Sequence, residues 1–323
     1  MRLSRKLSFL VFHFYFLIHS MKFQTKSNKL IVVVGPNASG KSELAVALAK
    51  KFNGEVVSAD SRQVYKGMDI GSGKIKKSEM KGVPHHLLDV ANPKSVFTVT
   101  RYRKLAMAAI TKTQKVGKIP ILCGGTGFYI QAVIDGIAIP QVMPDWKLRR
   151  QLEQKTTAQL FLMLKKLDPR RAKTIDAKNP RRLIRAIEIV SATKKPVPDL
   201  AKNPLSYEIL MLGVKKSESA LKKLIADRTR KRIKAGMAAE TARLKKSGLS
   251  WEKLEALGLE YRASARFLQK KITREQMIET IKKEDWQYAK RQMTWFARDK
   301  RVNWIKTKPQ AIKLVQKYLK KSV

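Results

Sequence analysis

Runs of apolar residues alternate with amphipathic stretches through the first half of this chain. Leu30-Ile31-Val32-Val33-Val34 is an unbroken apolar run, the signature of a strand buried on both faces. Glu43 to Lys51 then reads as a helix, Glu55–Ala59 as a second strand, Arg101–Val116 as a helix with apolar residues at helical spacing, and Ile119–Cys123 as a third strand. This rhythm predicts an α/β fold, a parallel sheet with helices on both faces. The pattern changes at Gly136–Pro144, where Pro140 and Pro144 mark a hinge. From Trp146 to about Thr193 the spacing is helical throughout, and Pro169, Pro180, Pro196, Pro198 and Pro204 punctuate this basic region. Ile209–Val214 reads as a returning strand, and three or more basic helices follow from Ser219, with Gly236, Gly248 and Gly258 as helix ends. The expected division is a core domain of residues 29–140 plus 205–323, a helical insertion at 141–204, and an extension at 1–28.

The extension carries Arg2, Arg5 and Lys6 ahead of an apolar run from Phe9 to Ile18. That run is shorter than the about 20 residues that cross a bilayer, and no small-residue cleavage site follows it. It reads as a dispensable extension or a non-native start, with Met21 just before the first strand. No other long apolar stretch exists, so the expected body is soluble, without stable membrane association. The chain has one cysteine, Cys123, which excludes an internal disulfide and fits a reducing, cytoplasmic setting. Its apolar neighbours make it a core residue rather than a nucleophile.

Charge narrows the partners. The chain holds 69 Lys and Arg against 25 Asp and Glu, a net charge of +44. Such a surface attracts polyanions, either nucleic acid or an anionic membrane.

The chemistry begins at Gly35-Pro36-Asn37-Ala38-Ser39-Gly40-Lys41-Ser42, which fits G-x-x-x-x-G-K-[ST] between a strand and a helix. Glycines there let backbone N–H groups converge on phosphate oxygens at a helix N-terminus. Lys41 adds a point charge and Ser42 a hydroxyl for Mg²⁺. The motif alone suits any nucleotide, ATP included, or a bare diphosphate. The second strand ends at Asp60, beyond the carboxyl edge where ligands sit in open parallel sheets. A carboxylate there binds Mg²⁺ through water, takes a substrate proton, or simply caps the next turn. The third strand ends in Gly124-Gly125-Thr126-Gly127, either a close backbone approach to a ligand or an ordinary turn. His85 and His86 fall on extended backbone, point to opposite faces, and make a poor metal pair. Trp286 to Phe296 interleaves basic and aromatic residues, and Arg228 to Arg232 is a basic run. Each suits RNA, and each equally suits a helix with one solvated basic face.

Taken in order, GPNASGKS (35–42), DSRQVYKGMDIGSGK (60–74), GVPHHLLDV (82–90), GGTGFY (124–129), NPRRLIRAIE (179–188), LGLEYR (257–262) and QYAKRQMTWF (287–296) resemble one family, the tRNA dimethylallyltransferases. The resemblance runs from about residue 30 to 305. It implies a P-loop NTPase-like parallel sheet with a helical insertion and C-terminal helices, working as a cytoplasmic monomer. It implies transfer of a dimethylallyl group from dimethylallyl diphosphate to N6 of adenosine 37, next to the anticodon, with release of diphosphate. By the same resemblance Asp60 is the general base and Thr126 bonds the bridging oxygen of the leaving diphosphate. Gly35, Asn37, Ala38, Ser39, Gly40, Lys41 and Ser42 hold the diphosphate with Mg²⁺, and Arg232 or Arg228 clamps it. Contacts to the tRNA anticodon stem-loop are implied for Asp60, Ser61, Arg62, Gln63, Arg149, Arg181, Arg182, Arg185, Tyr261, Arg262, Gln287, Lys290, Arg291 and Gln292. Three features depart from the family pattern. Ser42 stands where many members have threonine, LGLEYR carries an extra residue, and the extension has no counterpart. The competing readings are a small-molecule P-loop kinase, which needs no such basic surface, and a non-catalytic RNA-binding protein on a decayed P-loop, which would not keep Lys41, Ser42, Asp60 and Thr126 intact.

Overall fold

The computed structural model describes residues 28–137, 140, 142–199 and 206–320. The expectation for the extension falls almost wholly on residues 1–27, outside the described residues. The six described strands are β1 (Lys29–Val34), β2 (Gly54–Ser58), β3 (His85–His86), β4 (Ile119–Gly124), β5 (Glu208–Val214) and β6 (Val302–Ile305). They form one sheet in the order β3-β2-β4-β1-β5-β6, and every pairing is parallel. β1 lies between β4 and β5, in register Val34↔Gly124 and Val34↔Gly213. Leu30 to Val34 are fully buried, which is why the run does not alternate; each such side chain contributes about 1.5–3 kcal/mol of transfer free energy.

The sheet is clothed by helices on both faces. On one face α1 (Lys41–Lys51) sends Leu44, Ala45 and Leu48 against Ile31, Val33, Ile121 and Leu212. α2 (Lys77–Met80) is a single turn leading into β3. α3 (Val99–Lys115) buries Tyr102, Ala106 and Ile110 and starts on Thr98, whose side chain accepts from the Arg101 N–H. α4 (Gly127–Ile134) leaves directly from the end of β4.

Residues 135–205 form a separate compact unit. Its first residue, Asp135, precedes the break expected at 141. Its helices are α5 (Trp146–Glu153), α6 (Thr157–Leu167), α7 (Pro169–Ala172) and α8 (Pro180–Thr193). Pro169 and Pro180 open helices rather than interrupt them, after the caps Asp168 and Asn179. Leu152, Leu160, Leu164, Leu183 and Ile187 make this unit's own core.

The remaining helices belong to the first unit, which comprises residues up to Ile134 and from Ser206 onward. They are α9 (Glu218–Lys234), α10 (Met237–Lys246), α11 (Trp251–Ala256), α12 (Leu259–Leu268), α13 (Arg274–Ala297) and α14 (Lys308–Lys320). Gly236, Gly248 and Gly258 all fall at helix boundaries with positive φ. β3 and β6 are strands that the pattern analysis did not identify, being two and four residues long. Among the described residues no helix is long and apolar enough to cross a membrane. Cys123 packs in the core, and burial pushes its thiol up to about 12.

Candidate active site

Three strand ends converge. β1, β4 and β2 are neighbours in the sheet, and their carboxyl ends run into the 35–42 loop, the 124–127 turn and Asp60. In the 35–42 loop Ala38 and Gly40 have φ of 60° and 89°, and Gly40 caps α1 in the left-handed region. The Lys41 ammonium donates to the Pro36 carbonyl at 3.2 Å. Burial lowers its pKa, and nearby Arg228 and Arg232 push the same way. The buried Ser39 hydroxyl has no hydrogen-bond partner among the described residues, an orphaned group at the centre of a phosphate-type loop.

Asp60 Oδ1 accepts from the N–H groups of Arg62 (2.8 Å) and Gln63 (3.3 Å). The capping role left open for Asp60 is thus realised by one oxygen, and the other accepts no hydrogen bond among the described residues. Asp60 and Ser42 line one small cavity together. Thr126 Oγ1 accepts from the Ser61 N–H at 3.1 Å, and the Thr126 N–H donates to Ala59 O at 3.2 Å. Tyr288 lies near this turn, and burial pushes its phenol up to about 12. Tyr129 stacks on Tyr102 at 3.9 Å behind this turn.

The cations come from α9. Arg228 donates to Gly73 O at 3.2 Å; burial and then Arg232 lower its pKa to about 10. Arg232 pairs with Glu260 at 2.5 Å and lies 3.9 Å from Asp285, while its Nε has no partner. A Cβ on Gly73 would fall 2.1 and 2.2 Å from the two guanidinium groups, so the absence of a side chain there admits both arginines. Asp285 is pushed up to about 6, first by burial and then by Glu260, against Arg232, Arg228 and a hydrogen bond from Asn37. The adjoining cavity is ≈ 1280 Å³, and its walls include Ser39, Lys41, Ser42, Arg228 and Arg232. Ten of its lining side chains are cationic and three are carboxylates. Such a cavity takes a polyanion.

Mg²⁺ has no all-protein cage here, since the described residues hold no cluster of three or more His, Cys, Asp or Glu placed to bind a metal. The Ser42 hydroxyl instead suits a hard cation carried mainly by phosphate oxygens and water.

Several residues expected at an RNA surface are placed otherwise. Tyr261 is 1% exposed, donates to Glu240 at 2.8 Å and accepts from the Ser72 N–H at 3.2 Å. Gln292 is 4% exposed and joins two loops of the site. Arg149 and Arg185 both pair with the buried Glu188 of their own unit. Burial raises the Glu188 pKa, but hydrogen bonds from Arg149, Arg185 and the Asp145 N–H outweigh it and hold the carboxyl below its ordinary value. Arg262 faces Glu284 at 3.8 Å. Ser61, Arg62 and Gln63 are half-buried beside Asp60, while Arg181, Arg182, Gln287, Lys290 and Arg291 are exposed. The histidines act structurally: His86 bonds Glu55 at 2.7 Å, and His85 bonds Val83 O at 2.8 Å. Glu260, Asp285 and Tyr288 were not singled out from the sequence. The signal for Asp285 and Tyr288 was the helical register that puts 285, 288 and 292 on one face.

The family model described as IPP transferase matches residues 63–299. A tRNA dimethylallyltransferase of Carboxydothermus hydrogenoformans is 40% identical over 287 residues, 86% of this chain and 92% of that protein. One from Acetivibrio thermocellus is 36% identical over 286 residues, 86% of this chain and 91% of that protein. Among solved structures, the tRNA isopentenylpyrophosphate transferase of Bacillus halodurans superposes with a TM-score of 0.68 at 35% identity, covering 91% of this chain and 96% of its own. A eukaryotic dimethylallyltransferase described as acting on tRNA gives 0.69 at 29% identity, covering 83% and 69%.

Proposed function

This chain belongs to the IPP transferase family, and from that premise we propose that it transfers a dimethylallyl group from dimethylallyl diphosphate to tRNA. The acceptor is N6 of adenosine 37, and diphosphate leaves. The observation that carries this reading is the convergence of the 35–42 loop, Asp60 and the Thr126 turn at three neighbouring strand ends, facing Arg228 and Arg232.

An exocyclic adenine amine is a weak nucleophile, because its lone pair is delocalised into the ring. The rate therefore depends on positioning and on stabilising charge as it develops on the departing diphosphate. The N6–carbon bond forms as the carbon–oxygen bond to diphosphate breaks. The open oxygen of Asp60 accepts the proton that N6 loses. The hydroxyl of Thr126 faces the bridging oxygen, and the loop N–H groups, Ser39, Lys41 and Arg232 receive the charge. Ser42 would help hold Mg²⁺, which would supply further charge neutralisation when bound. The adenine must leave its stack, which costs a few kcal/mol. Contacts from the exposed cations Arg181, Arg182, Lys290 and Arg291 to RNA phosphates offset that cost and make binding salt-dependent.

The test is mass spectrometry of tRNA nucleosides after purified protein is incubated with dimethylallyl diphosphate and unmodified tRNA. The expected result is a dimethylallyl mass increment on adenosine. Consumption of a nucleoside triphosphate with RNA unaltered would overturn the reading and favour a kinase.

A further inference from the structure

The β1–β4 ladder ends at Val34↔Gly124. Beyond it, the 35–42 loop and the 124–127 turn are joined by one side chain from α13. Gln292 Oε1 accepts from the Asn37 N–H at 2.8 Å, and Gln292 Nε2 donates to Gly125 O at 2.9 Å. Its carboxamide thus stands between the loops as an added peptide group would, extending the ladder by one rung. The fit is close, because a Cβ on Gly125 would fall 2.2 Å from Nε2. Gln292 is 4% exposed. A buried carboxamide is costly without partners, and an apolar residue would pack as well, so the polar group is explained by the span it bridges. The same helix face adds Asp285, which accepts from the Asn37 side chain at 3.1 Å.

We infer that Gln292 is a positioning residue for the transfer reaction, holding the diphosphate-binding loop and the Thr126 turn at the separation at which both act on one leaving group. This rests on the prenyl-transfer reading. It also predicts how loss of the residue divides between kinetic constants. Donor and tRNA keep their main contacts, so KM changes little, while the alignment realised during transfer is lost and kcat falls.

Gln292→Met keeps the shape and removes both bonds. The expected result is a kcat lower by about tenfold to a hundredfold, the scale of a small misplacement, with both KM values near wild type. Gln292→Glu supplies a readout that mere structural support would not move. As a carboxylate it accepts from Asn37 but repels Gly125 O; once protonated it donates to that carbonyl and reproduces the amide pattern. The ratio of its kcat to that of the wild type should therefore rise as pH falls. Both proteins are compared in an Asp285→Asn background, because Asp285 shares Asn37 with residue 292 and two carboxylates there would titrate as a coupled pair. A Met variant that melts and turns over like wild type would overturn the inference. So would a Glu-to-wild-type ratio that is flat with pH, and this second measurement decides the matter if the Met variant does not fold. Wild-type protein that leaves tRNA unmodified would bring down the functional reading itself.

Discussion

Two pairs of arginines in this molecule have opposite surroundings. In the helical unit, Arg149 and Arg185 meet on Glu188, which also accepts from the Asp145 N–H. Arg149 adds a stack over Trp146 at 5.2 Å. That carboxylate is filled, and both guanidinium groups are anchored on it within the unit. In the core unit, Arg228 has the Gly73 carbonyl as its hydrogen-bond partner and Arg232 keeps an unpartnered Nε, although Glu260 and Asp285 are close. Here donor capacity is left over, and both arginines line a cavity. A net charge of +44 says nothing about this distinction. An arginine marks a ligand site where N–H donors are left unsatisfied beside a cavity, and marks architecture where a carboxylate of its own unit takes them up.

The comparison can be broken in four ways. Asp60→Asn tests whether the open oxygen takes a proton; turnover should fall by about 10²–10⁴-fold, the usual worth of a general base, with tRNA affinity unchanged in a filter-binding assay. Near-normal turnover would leave Asp60 as a turn cap only. Glu188→Ala strands two arginines in the helical unit and should cost about 3–5 kcal/mol of that unit's stability, read by denaturant unfolding. Glu188 also gives the pH sign. Its folded-state pKa is depressed, so its stabilisation is complete above the ordinary glutamate value and disappears as pH falls through the lower, folded one. A unit equally stable through that acid window would show that the cluster contributes nothing. Lys41→Ala should raise the donor KM about tenfold to a hundredfold, as expected for losing a charged hydrogen bond, with little loss of melting temperature. The reverse outcome would make Lys41 architectural, like Arg149. Lys290→Ala is the mildest: it should lower the salt slope of tRNA binding by about one, whereas Tyr261→Phe, buried against Glu240, should leave that slope alone.

Much of this was readable from residue order. Leu30–Val34, Ile119–Cys123 and Ile209–Val214 announced central strands because burial on both faces demands unbroken apolar runs. The loop at 35–42 was visible because its chemistry is local, needing specific residues within one turn. What remained hidden depended on distant partners. Arg185 and Glu188 are three apart on a helix, a spacing that could have signalled their pairing, but Arg149 reaches the same carboxylate across 39 positions. Gln292 on α13 and Tyr261 on α12 look like surface residues of basic helices until those helices are docked and, for Gln292, 255 positions of separation close to 2.8 Å. β6 was missed because Val302–Ile305 is too short to show a period, and its strand character comes from pairing with β5.

Cys123 is the chain's one cysteine, and it is sealed between β-strands with its thiol pushed up to about 12. Thiolate is what maleimides and spin labels attack, so the native protein is in effect blank to such reagents. A cysteine introduced at an exposed position such as Lys290 would carry a single fluorophore without first removing the endogenous one. Movement of α13 during a catalytic cycle can thereby be followed in an otherwise unaltered chain.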